Sequence, residues 1–198
     1  MILKIDAALD RIEFVFLDRD GVLNRKLPEG VYAKRREDLE LFPAAVKALA
    51  SLNKKGYTVI LVTNQRGVGL GYMTESELNA LHEELQKDLA QYGARLDAIY
   101  YCPHDPSTQE CTCRKPLTGL FEQAIRDFPA ISKRNSILIG DSLSDIQAGI
   151  NLGVPTIFIE GEPLHRKPGA EQALALATEV AQSLDDAVTR VLGISRCT

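Results

Sequence analysis

Short runs of apolar, β-favouring residues alternate with longer helical patterns along most of the chain, and this alternation constrains the fold more than any other feature. We predict strands at 14–18, 57–63, 97–102, 136–141 and 154–159. The patterns between them predict helices near 43–55, 74–92, 117–128 and 143–152, with a final helix near 170–192. Strands that are apolar throughout and separated by helices are typical of a parallel sheet covered on both faces. We therefore predict an α/β fold with a doubly wound, Rossmann-like sheet.

Length and charge limit the functions that such a fold can serve here. The 198 residues, 45% of them hydrophobic, predict a single domain over 1–198. A net charge of −4 is unsuited to nucleic acid and to an anionic membrane surface, so we expect neither as a partner. The longest strand-like apolar run, at 59–62, is too short to cross a bilayer, and acidic residues interrupt the first 14 positions. We expect a cytoplasmic monomer, and a small anionic substrate remains compatible with the composition because local Lys and Arg can outweigh a weak global charge.

Polar side chains follow four of the predicted strands at the point where each strand ends. They are Asp18 and Asp20, Thr63 and Asn64, Cys102 and His104, and Asp141. In open α/β sheets the ligand crevice lies beyond the carboxyl ends of the strands. These four signals, distant in the sequence, should therefore meet at one edge of the sheet.

The aspartates in this set predict phosphoryl-transfer chemistry with a metal ion. Two carboxylates one residue apart repel each other unless a cation lies between them or one is protonated. Mg²⁺ prefers such oxygen ligands, and Asp141 could supply a third. Asp18 could attack phosphorus while Asp20 protonates the leaving oxygen and later deprotonates water. Asp145, one helical turn after Asp141, could orient a lysine or a metal-bound water; turn or helix-capping aspartates are the simpler alternative.

Further residues are candidates for contacting the phosphate groups of a substrate. A hydroxyl, amides and backbone N–H groups after the second strand could hold phosphoryl oxygens, and a lysine could neutralise their charge. Two arginines could take a second anionic group, although each of these side chains alone is as easily a surface residue. The candidates are Thr63, Asn64, Gln65, Arg66, Arg114 and Lys115.

Three cysteines and a histidine cluster in one short segment, at Cys102, His104, Cys111 and Cys113. In a cytoplasmic chain such a cluster indicates a metal before it indicates disulfides. Three thiolates and an imidazole complete a tetrahedral Zn²⁺ site with no position left for water, so this zinc would be structural. It would shape a small loop, about 102–113, which ends next to Arg114 and Lys115. Unliganded cysteines in a loop are the alternative.

The order of the motifs DRDG, TNQ, RKP and GDSLSD resembles the haloacid dehalogenase superfamily of phosphotransferases, over about two-thirds of the chain. Within it, the segments FLDRDGVLN, VTNQRGVGLGYMTE, YYCPHD and CTCRKP are similar to the D-glycero-D-manno-heptose 1,7-bisphosphate phosphatases. The related histidinol-phosphate phosphatase domains share much of the pattern. The resemblance implies a phosphatase that forms an aspartyl-phosphate intermediate.

The resemblance also implies roles for particular residues. Asp18 would be the nucleophile and Asp20 the general acid and base. Thr63 and Lys115 would stabilise the phosphoryl group. Mg²⁺ would be held by Asp18, the backbone carbonyl of Asp20, and Asp141. The implied substrate is the C7 phosphate of the heptose bisphosphate.

Several features leave the substrate open. Only 18 residues, 25–42, separate the first motif from the next helix, which is too few for a large cap domain. Ser142 stands where heptose-group members often have lysine, and the loop 105–110 is short. Histidinol phosphate or another small phosphomonoester is therefore an alternative substrate. An inactive, zinc-stabilised interaction module is an alternative of another class, and a DNA-end phosphatase is the least favoured because the chain lacks a basic stripe.

Other polar residues receive no role. The glycines at 67–71 lack dinucleotide-binding spacing and predict a flexible loop. We expect His82 to be solvated within a charged helix. His165 falls in a predicted long loop at 160–170, and Cys197 lies next to the terminus.

Overall fold

All strands in the described part of the chain run parallel and form one sheet, in the order β3-β2-β1-β4-β5-β6. The computed structural model describes residues 12–28, 30–161, 168–190 and 192–193. The strands are β1 (Phe14–Leu17), β2 (Thr58–Asn64), β3 (Ala98–Cys102), β4 (Ser136–Gly140), β5 (Thr156–Ile159) and β6 (Glu179–Ala181). This order is that of a doubly wound dinucleotide-binding sheet, which confirms the predicted fold class.

Helices connect the strands, and those predicted near 43–55, 74–92, 117–128 and 143–152 are confirmed. The flexible loop predicted at 67–71 is wrong in part, because a short helix at Arg66–Gly69 occupies its first half. The helices are α1 (Pro43–Lys54), α2 (Arg66–Gly69), α3 (Glu75–Gln91), α4 (Gly119–Asp127), α5 (Leu143–Leu152), α6 (Ala170–Leu176) and α7 (Leu184–Arg190). Local sequence explains their ends: Thr74 begins α3 with a capping box to Glu77, and Ser142 begins α5 with a capping box to Asp145. Among the described residues of 25–42, the regular structure is a 3₁₀ turn at Arg36–Asp38, so no large cap domain is inserted there.

The prediction of a single helix near 170–192 is wrong. The chain instead forms α6, then β6, then α7. The short strand pairs with β5, and Thr156 and Thr178 exchange backbone-to-hydroxyl hydrogen bonds of 3.0 and 3.2 Å beside it. Because this pairing partner lies about 20 residues away, local helix propensity could not indicate it. Residues 162–167 of the predicted long loop, with His165, and Cys197 lie outside the described residues.

The central strand β1 is buried on both faces. Val15 and Leu17 face one apolar cluster, which includes buried residues of α1, α3 and α7. Phe14 and Phe16 face the other, where Phe16 meets Phe121 of α4 edge to face at 5.1 Å. Strand order reverses between β1 and β4, so the crevice at their carboxyl ends lies between two well-packed strands. Within the described residues, no helix is both long and apolar enough to cross a membrane.

Candidate active site

Two aspartates from neighbouring strands meet at the point where the strand order reverses. Asp18 follows β1 and Asp141 follows β4, and these strands pair in register as far as Leu17 and Ile139. Both aspartates are buried. Carboxylate oxygens of Asp18, Asp141 and Asp145 all lie within 4.8 Å of one another. Such a group of oxygen ligands could hold a small divalent cation.

Gly21 allows the first motif to turn against Asp141. Its φ angle is +97°, a conformation that disfavours residues with a side chain. A Cβ atom at this position would lie 2.2 Å from Asp141 Oδ2. The turn after Asp20 is therefore held close to the carboxylate that follows β4. Lys26, also in this segment, brings its Nζ atom to 3.7 Å from the same carboxylate.

Lys115 places a buried cation against the aspartates. Its side chain is 1% exposed, and its Nζ atom lies 2.9 Å from Asp18 Oδ1 and 2.6 Å from Asp145 Oδ1. It also donates a hydrogen bond of 2.6 Å to the carbonyl of Val62. Burial by itself would lower the pKa of the Lys115 ammonium, but the carboxylates of Asp145 and Asp18 outweigh it and raise that pKa above its ordinary value. The ammonium therefore stays charged beside Asp18.

Asn64 holds the backbone that carries this lysine. Its amide donates to the carbonyl of Lys115 and accepts from the N–H of Lys115, both at 3.1 Å. The Lys115–Pro116 peptide bond is cis. The amide predicted to contact phosphoryl oxygens is thus engaged with the lysine loop, and β2 and this loop are tied together.

The carboxylate of Asp20 is surrounded by hydrogen-bond donors. Arg19 Nη2 lies 3.0 Å from Oδ2, Asn24 Nδ2 lies 2.9 Å from Oδ1, and Gln65 Nε2 lies 3.1 Å from Oδ2. Partial burial would raise the pKa of Asp20, but the Arg19 charge and the hydrogen bonds lower it to about 2. Gln65 also donates to Thr63 Oγ1 at 2.9 Å. Gln65, predicted to contact substrate, is thus bonded to three other residues of the site, since it also accepts a hydrogen bond from Arg19.

Arg66 is paired with a buried acid of the cysteine-containing loop. Its Nε atom lies 2.8 Å from Asp105 Oδ1, while Asp105 also accepts hydrogen bonds from Ser107. The Ser107 hydroxyl and the Arg66 guanidinium hold the pKa of Asp105 at about 2. The Arg66 side chain is 40% exposed, so one edge still faces solvent. Arg66, predicted to bind a second anionic group, links α2 to this loop.

The cysteines and histidine of the loop converge as a four-ligand set. Cys102 Sγ lies 3.2 Å from Cys113 Sγ and 3.8 Å from Cys111 Sγ. His104 Nδ1 lies 3.1 Å from Cys113 Sγ and 3.6 Å from Cys102 Sγ. Four ligand atoms at about 2.3 Å from one tetrahedral ion would be about 3.8 Å from one another. The separations here, 3.1 to 3.8 Å, would need to widen only slightly to hold Zn²⁺.

A small cleft at the site and a larger groove both include Lys115 in their linings. The cleft, of about 60 Å³, is lined by Asp18, Asp20, Thr63, Asn64, Lys115, Ser142, Ser144 and Asp145. The groove, of about 500 Å³, runs along the loop that carries Arg114 and Lys115 and includes Gln109 and Glu110. Arg114 lies 3.4 Å from the carbonyl of His104 and remains partly exposed at this groove.

Two residues of the site lay outside the sequence prediction. Arg19, within the first motif, is 1% exposed and contacts Asp20 directly. The expectation that His82 is solvated is wrong, because it is 5% exposed and its Nε2 atom lies 3.2 Å from Arg19 Nη1. The spacing of four residues between His82 and Leu78 was the available signal, since it places both on the buried side of α3.

Fold and site together define the class of this protein. The paired aspartates after β1, the acids after β4 and the buried lysine stand at the switch point of a parallel sheet, as in phosphatases of the haloacid dehalogenase type. This arrangement supports the class of phosphatase that the sequence motifs implied.

Comparison with known proteins places the chain more narrowly. Residues 13–183 match the family described as polynucleotide kinase 3 phosphatase. D-glycero-beta-D-manno-heptose-1,7-bisphosphate 7-phosphatase of Haemophilus ducreyi is 43% identical over 148 residues, which are 72% of this chain and 79% of that protein. The D-glycero-alpha-D-manno-heptose-1,7-bisphosphate 7-phosphatase of Photorhabdus laumondii is 36% identical over 156 residues, 76% of this chain and 83% of the other.

A solved structure agrees with these relatives. The D,D-heptose 1,7-bisphosphate phosphatase of B. bronchiseptica, crystallised with magnesium and phosphate, superposes with a TM-score of 0.79 at 30% identity. The match covers 92% of this chain and 99% of that one. The chain therefore belongs to this family of haloacid dehalogenase-type phosphatases, in the group that contains the heptose-bisphosphate phosphatases.

Proposed function

We propose that this protein removes the 7-phosphate of a D-glycero-D-manno-heptose 1,7-bisphosphate in a Mg²⁺-dependent reaction. One observation carries the proposal: the buried ammonium of Lys115 lies 2.9 Å from Asp18 Oδ1 at the edge where Asp141 follows the neighbouring strand. A carboxylate held there by a permanent cation is suited to attack phosphorus and carry the phosphoryl group. Relatives named for the heptose bisphosphate supply the choice of substrate.

The reaction divides into two displacements at phosphorus. In the first, an oxygen of Asp18 bonds to phosphorus while the bond to the C7 oxygen breaks, and Asp20 gives that oxygen a proton. In the second, Asp20 takes a proton from a water that attacks the aspartyl-phosphate, which releases phosphate and restores Asp18. Lys115 and the Thr63 hydroxyl stabilise the charge on the phosphoryl oxygens.

Asp20 needs a different protonation state in each displacement. Its pKa of about 2 suits the base that the second displacement requires. The first displacement requires the acid, and the negative charge of an arriving phosphate raises the pKa of a neighbouring carboxyl. The hydrogen bonds from Asn24 and Gln65 keep the carboxylate oriented in both steps.

Two metal ions fit the residues present. Asp18, Asp141 and the backbone carbonyl of Asp20 would hold Mg²⁺, which when bound neutralises charge on the phosphoryl oxygens. Asp145 is occupied by Lys115 and by the backbone N–H of Ser142, at 3.1 Å, so we assign it to orienting the lysine. The ligand set Cys102, His104, Cys111 and Cys113 would hold a structural Zn²⁺.

The groove beside Lys115 is proposed to receive the sugar. Arg114 is the cation at this groove that we assign to the second phosphate of the substrate. Arg66 is better placed to support the zinc-binding loop through Asp105. A substrate with one phosphate at each end would thus place the 7-phosphate in the cleft and the 1-phosphate near Arg114.

The test is phosphate release from a panel of substrates, with and without Mg²⁺. The panel contains both anomers of heptose 1,7-bisphosphate, histidinol phosphate and an oligonucleotide with a 3′-phosphate. We expect at least tenfold preference for one heptose anomer, with a product that remains non-reducing because its 1-phosphate is intact. Preference for histidinol phosphate or for the oligonucleotide would overturn the substrate, whereas no turnover of any compound would overturn enzymatic function. Asp18→Asn, the control, should fold normally and release no phosphate.

A further inference from the structure

The buried arginine Arg19 lies between Asp20, the proposed general acid and base, and the interior of the protein. Arg19 Nη2 lies 3.0 Å from Asp20 Oδ2 and 3.2 Å from Oδ1, and Nε lies 3.3 Å from Oδ1. The arginine side chain is 2% exposed, while that of Asp20 is 28% exposed toward the cleft. Arg19 therefore contacts Asp20 from the protein interior, on the side away from an incoming substrate.

The opposite edge of the same guanidinium contacts a histidine from a distant helix. Arg19 Nη1 lies 3.2 Å from His82 Nε2, and His82 belongs to α3, 63 residues further along the chain. A guanidinium has only donors, so His82 Nε2 must be the acceptor and the imidazole must be neutral. Burial and the Arg19 charge agree with this, since they lower the pKa of His82 to about 3. The imidazole is also packed against Tyr101, with ring centroids 5.7 Å apart.

Gln65 fixes the guanidinium on a third side. Its Oε1 atom accepts from Arg19 Nη2 at 3.0 Å, and its Nε2 atom donates to Asp20 Oδ2 at 3.1 Å. Arg19 is thus held by Gln65, which directly follows β2, and by α3 through His82. If the guanidinium lost one of these hydrogen bonds and rotated, the Asp20 carboxylate bound to it would move as well.

From this arrangement we propose that His82 is a positioning residue for proton transfer, acting through Arg19 to hold the Asp20 carboxylate toward the leaving oxygen. The proposal rests on the phosphatase chemistry assigned to Asp20, although not on the choice of heptose substrate. His82 does not line the cleft that contains Asp18 and Asp20. It contributes an acceptor that only Arg19 uses among the hydrogen bonds of the described residues.

If His82 positions Asp20, changing His82 should slow only those substrates whose leaving group must be protonated. A phosphate ester of a weakly acidic alcohol needs a proton at the leaving oxygen, whereas an ester of an acidic phenol leaves readily without one. If Asp20 is displaced, the first class should lose rate and the second should not. A fold defect would instead reduce both classes by the same factor.

The experiment measures kcat/KM for a series of substituted phenyl phosphates whose leaving groups differ in acidity. These generic substrates report the first displacement whatever the physiological substrate is. We expect His82→Leu to lower kcat/KM about tenfold for phenyl phosphate and less than about twofold for 2,4-dinitrophenyl phosphate, out of the 10²–10⁴-fold that general acids contribute. His82→Gln, which retains an acceptor, should recover most of the loss.

Matched variants separate positioning from stability. Leu89→Val alters the same helix at a buried position about two turns beyond His82, so it should leave the dependence on leaving group unchanged. Should His82→Leu fail to fold, His82→Asn, whose shorter side chain falls short of Arg19, should show the same steepened dependence. The proposal would be overturned if His82→Leu or His82→Asn lost the same factor in kcat/KM for every phenyl phosphate, or if the rates of His82→Leu or His82→Asn were unaltered.

Discussion

Replacing Lys115 with methionine removes the cation from a buried group of charges while preserving most of the side-chain volume. The lysine side chain is 1% exposed, and its partners are equally enclosed, at 7% for Asp18 and 0% for Asp145. Two carboxylates that share one ammonium would then lie near each other without it. This makes Lys115→Met a direct measure of how the site balances its charge.

The size of the effect follows from that burial. Removing one partner of a buried ion pair costs about 3–5 kcal/mol, because the remaining charge is left uncompensated. Without the ammonium, the two carboxylates repel each other, and one of them can take up a proton. Each unit by which the pKa of that carboxyl rises adds about 1.4 kcal/mol to the loss in free energy of unfolding, at a pH above that pKa. We expect a loss of about 4 kcal/mol in the free energy of unfolding at pH 7.5. The loss should be smaller at pH 5.5, where that proton is bound more easily.

Urea unfolding followed by circular dichroism measures this difference, provided that the transition is two-state. The buffer should contain no added Mg²⁺ and no chelator that would strip a metal from the cysteine cluster. The double variant Lys115→Met/Asp145→Asn should regain about 2 kcal/mol over Lys115→Met, since one of the two carboxylates is neutralised. Phosphate release should fall at least about 100-fold in both variants.

Two results would refute this reasoning. A loss below about 1 kcal/mol for Lys115→Met at pH 7.5 would mean that the ion pairs add little to stability. A loss independent of pH, with no recovery in the double variant, would mean that packing and not charge is responsible. Either result would also weaken the assignment of Asp145 as the residue that orients the lysine.

Three further predictions concern other parts of the site. The pKa of Asp20 is lowered from 3.8 to about 2, so its contribution of about 2 kcal/mol should be present above pH 4 and lost as the pH falls through 2; the difference in urea stability between wild type and Asp20→Asn should shrink over that range. Gly21→Ala should cost about 2 kcal/mol or more and reduce turnover at least about tenfold, because φ is +97° and the methyl group would collide with Asp141. Gly56→Ala is its matched control, with φ of +88° and no atom within 4 Å, and should cost only the backbone strain without affecting turnover. Removing the proposed zinc should lower the free energy of unfolding by up to about 4 kcal/mol where zinc exceeds its Kd a thousandfold, seen as a lower unfolding temperature, and should lower the activity as well; zinc but not Mg²⁺ should restore both.

Hydrophobic pattern was sufficient to predict most of the fold. The apolar runs that became β1 to β5 and the helices between them are local signals, and a parallel sheet buried on both faces needs little else to be recognised. The strand β6 could not be predicted in this way. Three residues between two helix-favouring segments become a strand only because the edge of β5 is available for pairing.

The sequence by itself determined which chemistry is present and where it gathers. Asp18, Asp20 and Asp141 follow strands whose carboxyl ends must meet in a parallel sheet, so their convergence could be predicted from topology alone. The spacing of the cysteines and His104 likewise restricted them to one loop. These inferences need only the path of the backbone.

Only the tertiary structure decided what each polar side chain contacts. Asn64, Gln65 and Arg66 stand together at the end of one strand and looked alike as phosphate ligands, yet they hold the lysine loop, Asp20 and the cysteine-containing loop respectively. His82 looked solvated but accepts a hydrogen bond from Arg19 across 63 residues of sequence. The physical reason is that a buried polar group must find a partner, and that partner is set by distances between elements that no local pattern contains.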